Sequence, residues 1–182
     1  MKVLAANVLS GAGAGRTEVS PMRKPPGTQA TENQTIAVLS VSPADRDHGE
    51  LWRILEREPG VAAAGRLWSV AGADTLAGAL QTMREGRFPV VVCERELSPG
   101  TWKDLLDEAR DLPAAPSLIV ASRLADEHLW AEALNLGAFD VLAKPFDADE
   151  VVRVLVSAWR HWGGHSRGLA RAAGSVNVSY GT

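Results

Sequence analysis

The sequence predicts an α/β domain in which five parallel strands form one sheet, wound on both faces by helices. Three features carry the prediction. Apolar runs of a length suited to strands buried on both faces recur along the chain. Between them, apolar residues return at the spacing of an amphipathic helix. Proline or glycine stands where that spacing stops. A steady alternation of the two periods demands crossover connections, and parallel strands joined by helices provide them with both faces covered.

Ile36-Ala37-Val38-Leu39-Ser40-Val41, bounded by Ser42-Pro43, reads as the first strand. Leu51, Ile54 and Leu55, with Trp52 alongside, make the first helix, which Pro59-Gly60 ends. A weaker apolar stretch from Val61 to Leu67 is expected to form the second strand, and Leu76, Leu80 and Met83 the second helix, stopped at Gly86. Phe88 to Cys93 is the clearest strand, because successive β-branched residues resist a helix and suit a pleated, buried position. Trp102, Leu105, Leu106 and Ala109 give the third helix, closed by Pro113 and Pro116, and Ser117 to Ala121 the fourth strand. Leu129, Ala133, Leu134 and Leu136 mark a helix with Gly137 as its left-handed cap. Phe139 to Leu142 is a short fifth strand. Asp147 to Trp162 closes the domain as a helix that Asp147 caps and whose buried face holds Val151, Val154, Leu155 and Ala158. The expected strand order is 2-1-3-4-5, the flavodoxin-like arrangement.

At 182 residues the chain suits one domain with extensions, and its 46% hydrophobic and 23% charged residues are ordinary for a globular protein. Residues 1–35, rich in Gly, Ser, Thr and Pro, read as a disordered leader, 36–162 as the folded domain, and 163–182 as a flexible tail. The apolar block after Lys2 is too short and broken for a signal segment, and no run is long enough to span a bilayer. A formal charge of −3 provides no general attraction to nucleic acid or to an anionic membrane. The single cysteine, Cys93, precludes an intrachain disulfide, which fits a reducing, cytoplasmic setting, and the four scattered histidines build no zinc site. The expected metal and cofactor content is therefore none.

In such a sheet, chemistry lies beyond the carboxyl ends of the strands. That rim holds Ser42, Pro43 and Asp45, then Glu94, Arg95 and Glu96, then Ala121, Ser122 and Arg123, and finally Lys144-Pro145-Phe146. A glutamate and a lysine on one rim are suited to an ion pair, which by itself is as compatible with a structural role as with a functional one. Cys93 at the end of a buried strand reads as an inert small hydrophobe. Trp52, Trp102 and Trp130 read as packing residues, whereas Trp159 and Trp162, near Arg153, Arg160 and His161, have the aromatic and basic character of an interface.

The segment Leu136-Gly137-Ala138-Phe139-Asp140-Val141-Leu142-Ala143-Lys144-Pro145-Phe146 resembles the end of a bacterial response-regulator receiver (CheY-like) domain, as do the acid directly after Val90 to Cys93 and the strand after Pro116. The resemblance extends over about Ile36 to Trp162 and implies two-component (phosphorelay) signalling rather than an enzyme. In that family a sheet-end aspartate accepts a phosphoryl group, two acids hold magnesium, and a hydroxyl residue and a lysine bind the phosphoryl oxygens. Carried onto this chain, the acceptor falls on Glu94, the acid pair on Ser42 and Pro43, the hydroxyl on Ala121 with Ser122 beside it, and the switch aromatic on Val141. Lys144 and Pro145 keep the family pattern. With one weak oxygen ligand in place of two acids, Mg²⁺ binding is expected to be weak or absent. The implied protein is an atypical stand-alone pseudo-receiver that binds a protein partner, among them a histidine kinase, another signalling protein or a second copy of itself. The resemblance puts its interface on the face of Trp130, Trp159 and Trp162. The alternative is a true phosphoacceptor using Glu94, or Glu96 after a shift of register.

Overall fold

Strands and helices alternate without interruption in the computed structural model, which describes residues 35–57 and 67–174, with backbone alone from 165 to 174. The elements are β1 (Thr35–Val41), α1 (Asp45–Arg57), β2 (Leu67–Ala73), α2 (Leu76–Glu85), β3 (Val90–Glu94), α3 (Trp102–Arg110), β4 (Ser117–Ser122), α4 (Glu127–Leu136), β5 (Asp140–Ala143) and α5 (Ala148–Gly174). The five strands pair in parallel in the order β2-β1-β3-β4-β5, as the alternation requires. Residues 1–34, which hold nearly all of the expected leader, lie outside the described residues.

Period-two alternation divides the strands between two cores. Val90 and Val92 of β3 face one side with Leu51 and Leu55 of α1 and Val151, Val154, Leu155 and Ala158 of α5. Val91 and Cys93 face the other, with Ala79 and Met83 of α2, Trp102, Leu105 and Leu106 of α3, and Leu129 and Ala133 of α4. Because β1, β3 and β4 are covered on both faces, their sequences are nearly continuous apolar runs. The helix starts are capped locally: Thr101 and Asp104 form a capping box on α3, and the Asp126 side chain accepts from Leu129 N–H on α4. Gly137 ends α4 at φ 95°, a left-handed backbone that favours glycine. Asp147 accepts from Glu150 N–H at 2.9 Å and thus caps α5 as expected.

Several boundaries depart from the sequence expectation. The second strand is the segment after the expected one: β2 begins at Leu67, and residues 58–66, with Pro59-Gly60 and most of the expected strand, lie outside the described residues. As an edge strand β2 pairs with β1 alone, and its half-buried Trp68 and Val70 alternate with exposed Leu67 and Ser69. That pattern, interrupted by Gly72, is a weaker signal than a continuous apolar run. β3 starts at Val90 rather than Phe88 and includes Glu94, which pairs in register with Ala121. β5 is displaced by one residue, to Asp140–Ala143. Helix α5 continues past Trp162 to Gly174, into the stretch read as tail. Ala, Arg and Leu there are good helix formers even without an apolar stripe. Of the three tryptophans read as packing, Trp102 is 1% exposed, but Trp52 is 49% and Trp130 38% exposed, since each stands beside rather than on its helix's buried stripe.

Candidate functional site

At the carboxyl ends of β1, β3 and β4 an open cleft of about 520 Å³ is lined by Ser42, Pro43, Ala44 and Asp47 on one side and by Glu94, Arg95, Glu96, Ser122, Arg123 and Leu124 on the other. Lys144, the residue after β5, reaches it from below. Its side chain is 7% exposed, and its ammonium donates to Glu94 Oε2 and, at 2.5 Å, to Asp47 Oδ2. The Glu94 and Lys144 groups named from the sequence therefore do meet. The peptide bond from Lys144 to Pro145 is cis, and Lys144 N–H donates to Ser122 O at 2.9 Å.

Asp47 is the residue that sequence reasoning missed. Asp45, the acid that the sequence places just after the first strand, is exposed, whereas Asp47 is 6% exposed. The signal was available in the helical period: Asp47, Leu51 and Leu55 stand four residues apart, and all three are buried in α1. A charged residue on that stripe must find a partner, and Lys144 is it. Ser42, 2% exposed, supports the arrangement by donating from Oγ to Asp47 Oδ2 at 2.6 Å and accepting from Ala44 N–H at 3.2 Å. The remaining carboxylate oxygens are also engaged. Glu94 Oε1 accepts from Arg95 N–H at 3.1 Å, and Asp47 Oδ1 lies 3.8 Å from Arg46 Nε.

The other residues named from the sequence divide. Ser122 lines the cleft, and its Oγ accepts from Leu124 N–H at 3.1 Å. Ala121 does not, because alternation along β4 turns it into the core beneath α1 and α5. Pro43 is exposed on the rim with no donor or acceptor side chain to offer. Val141 is 1% exposed in the core on the side of α2, α3 and α4. Glu96 is exposed and paired with Arg95 at 3.3 Å, away from Lys144. The three tryptophans do not form one face: Trp159 packs on the core of α1 and α5, and Trp162 lies under the Arg87 guanidinium at 5.1 Å. Trp130, on α4, is the exposed one of the three. Cys93 is buried, and burial together with the adjacent Glu94 charge pushes its thiol far above the ordinary range, so it stays protonated. Among the described residues no group of three or more His, Cys, Asp and Glu has a metal-binding arrangement, and no helix is long and apolar enough to cross a membrane.

Burial pushes the Asp47 carboxyl up, but the hydrogen bonds from Lys144 and Ser42 and the charges of Lys144 and Arg46 outweigh it and hold the group below its ordinary value of 3.8. A depressed folded-state value stabilises the fold above the unfolded value, and the contribution disappears as pH falls through the folded one. Asp47→Asn is thus expected to be less stable than the natural chain at neutral pH. The gap should narrow as pH falls below 3.8 and close once it has passed through the depressed folded value. Urea unfolding across that range checks this, and a gap that widens in acid contradicts it.

Comparison with known proteins agrees with this fold. The family model described as "Response regulator receiver domain" matches residues 61–156, just over half of the chain. The match opens after α1, so it includes Glu94 and Lys144 but not Ser42 or Asp47. Transcriptional regulatory protein ZraR of Escherichia coli K12 is 35% identical over 95 residues, spanning 52% of this chain and 21% of that protein. Transcriptional regulatory protein KdpE of Mycobacterium tuberculosis is 31% identical over 113 residues, spanning 59% and 50%. The chain thus spans half or less of the length of these two relatives. Among solved structures, the signal receiver domain of an HD domain-containing protein from Pseudomonas fluorescens Pf-5 superposes with a TM-score of 0.63 at 20% identity, covering 77% of this chain and 98% of that one. Chemotaxis response regulator CheY4 of Vibrio cholerae does so at 0.57 and 19%, covering 68% and 98%. By fold, by strand order and by the matched residues, the chain belongs to the receiver-domain family of two-component response regulators.

Proposed function

We propose that this receiver domain is a pseudo-receiver, held in one state and acting by binding a protein partner rather than by aspartyl phosphorylation. One observation carries the reading: the Lys144 ammonium is already paired with the Glu94 carboxylate at the end of β3. Phosphoryl transfer depends on fixed positive charge that neutralises the three equatorial oxygens of the moving group. A lysine engaged by a resident carboxylate is not free to supply it. Glutamate reaches one methylene further than aspartate, which lets it occupy the lysine without a phosphoryl group.

The donor set also disfavours a metal. Mg²⁺ takes one or two carboxylates with phosphate and water oxygens in near-octahedral geometry. Here both carboxylates are spent on an ammonium, and Pro43 adds no ligand. We therefore assign the cleft no Mg²⁺ site and derive no step through one. A cytoplasmic setting is part of the proposal and rests on the single cysteine. The partner is a protein, a histidine kinase or another signalling protein, and its surface is the exposed side of α4, where Trp130 and Leu134 lie four residues apart and Leu124 stands at the cleft rim.

Mass spectrometry after incubation with acetyl phosphate and Mg²⁺ tests the reading. The natural chain and Glu94→Asp are both expected to remain unmodified. Uptake of a phosphoryl group by the natural chain overturns the proposal in favour of Glu94, or the rim acid Glu96, as acceptor.

A further inference from the structure

The pairing of Glu94 with Lys144 suffices for the pseudo-receiver reading, yet the ammonium meets a second carboxylate from a different element. We infer that Asp47 is the principal positioning residue of the cleft: it, more than Glu94, keeps Lys144 turned inward, so the lysine remains occupied when Glu94 is removed. The functional meaning of this clamp rests on the pseudo-receiver reading.

The two arms differ in how firmly they are held. Asp47 Oδ2 takes hydrogen bonds from both Lys144 Nζ and Ser42 Oγ, at 2.5 and 2.6 Å, so the carboxylate is aimed by a buried hydroxyl. Among the described residues, the far oxygen of Glu94 is tied only to the amide of the next residue, Arg95, at 3.1 Å. The Asp47 side chain is 9% exposed against 20% for Glu94. Aspartate also has one rotatable bond fewer to freeze. Asp47 belongs to a buried helical stripe, with Leu51 and Leu55 both packed in the core, whereas Glu94 is the last residue of its strand and is followed by half-buried Arg95 and exposed Glu96.

The consequence is mechanical. Lys144 and Asp47, 97 positions apart in sequence, fasten the first turn of α1 to the end of β5, and Glu94 adds the end of β3. The partner meets a cleft whose three edges are tied together. Placing an aspartate at position 94 leaves the lysine still in the grip of α1.

Lys144 acylation measures the clamp directly. The chain has four lysines, Lys2, Lys24, Lys103 and Lys144, so peptide mass spectrometry after limiting acetic anhydride resolves each one in the folded full-length protein. Lys103, paired with Glu132 and untouched by the variants, serves as the internal reference. Removing the partly exposed Glu94 arm, in Glu94→Gln, is expected to raise the ratio of Lys144 to Lys103 labelling by about threefold at most. Removing the buried, charge-assisted bond in Asp47→Asn is expected to raise it about tenfold or more. Ser42→Ala, which keeps the charge but loses its orientation, falls between. If Asp47→Asn does not fold by circular dichroism, Asp47→Glu displaces the same charge by one methylene and is expected to raise the ratio above that of Glu94→Gln. A ratio as high in Glu94→Gln as in the Asp47 variant overturns the inference and leaves the pseudo-receiver reading intact. Phosphoryl uptake by the natural chain overturns that reading and leaves the labelling order unchanged.

Discussion

Lys144→Met is expected to destabilise the domain by about 3–5 kcal/mol at neutral pH, the range for removing one member of a buried ion pair. The substitution keeps the length of the side chain and most of its apolar contact, and removes only the ammonium. Asp47 and Glu94, whose carboxylates both converge on that single cation, are then left facing each other with side chains 9% and 20% exposed. Two carboxylates left converging on the space the ammonium occupied cannot both remain ionised without cost. Part of the loss should therefore return when the second defect is relieved: Lys144→Met with Asp47→Asn is expected to be more stable than Lys144→Met alone. Urea unfolding of the single and double variants, analysed as a double-mutant cycle, measures both effects. Independent, additive effects would mean that the three groups do not form one electrostatic unit.

Trp102→Ala is the second large effect, expected at about 3–5 kcal/mol as a cavity in the core. Trp102 is 1% exposed and packs in the core formed by α2, α3 and α4. Its amide donates to Arg95 O at 3.2 Å, so the residue also ties the start of α3 to the turn that follows Glu94. The Lys103 ammonium lies 5.9 Å from its ring centroid, a minor contact beside the area that the indole buries. Trp52→Ala is the matched control: with 49% of Trp52 exposed, the same change of size opens no enclosed cavity. Denaturation midpoints that fall equally for the two variants contradict the burial assigned to Trp102.

What was legible in the sequence follows from how local each signal is. β1, β3 and β4 are covered on both faces, so burial alone makes them apolar, and the runs around Val38, Val91 and Ile119 announce them without any knowledge of neighbours. The same holds for Gly137, whose left-handed backbone is a local requirement at the end of α4. β2 was harder to see because an edge strand is buried by the sheet on one side only, and its half-exposed pattern around Trp68 and Gly72 resembles a loop. The tryptophans were misjudged for a related reason. Composition indicates that an aromatic residue seeks burial, but the rotation of about 100° per helical residue that separates Trp52 from Leu51 decides whether it finds any.

By itself the sequence determined the sheet, its order and the meeting of Glu94 with Lys144, because alternating periods admit few topologies and a parallel sheet gathers its strand ends on one rim. Only the tertiary structure decided that Ser122 rather than Ala121 faces the cleft, that Trp159 packs on the core of α1 and α5, and that Asp47 completes the site. The physical reason is the same in each case. The direction of a side chain depends on strand alternation and helix rotation measured against distant neighbours, and the partner of Asp47 lies 97 residues away, beyond the reach of any local pattern.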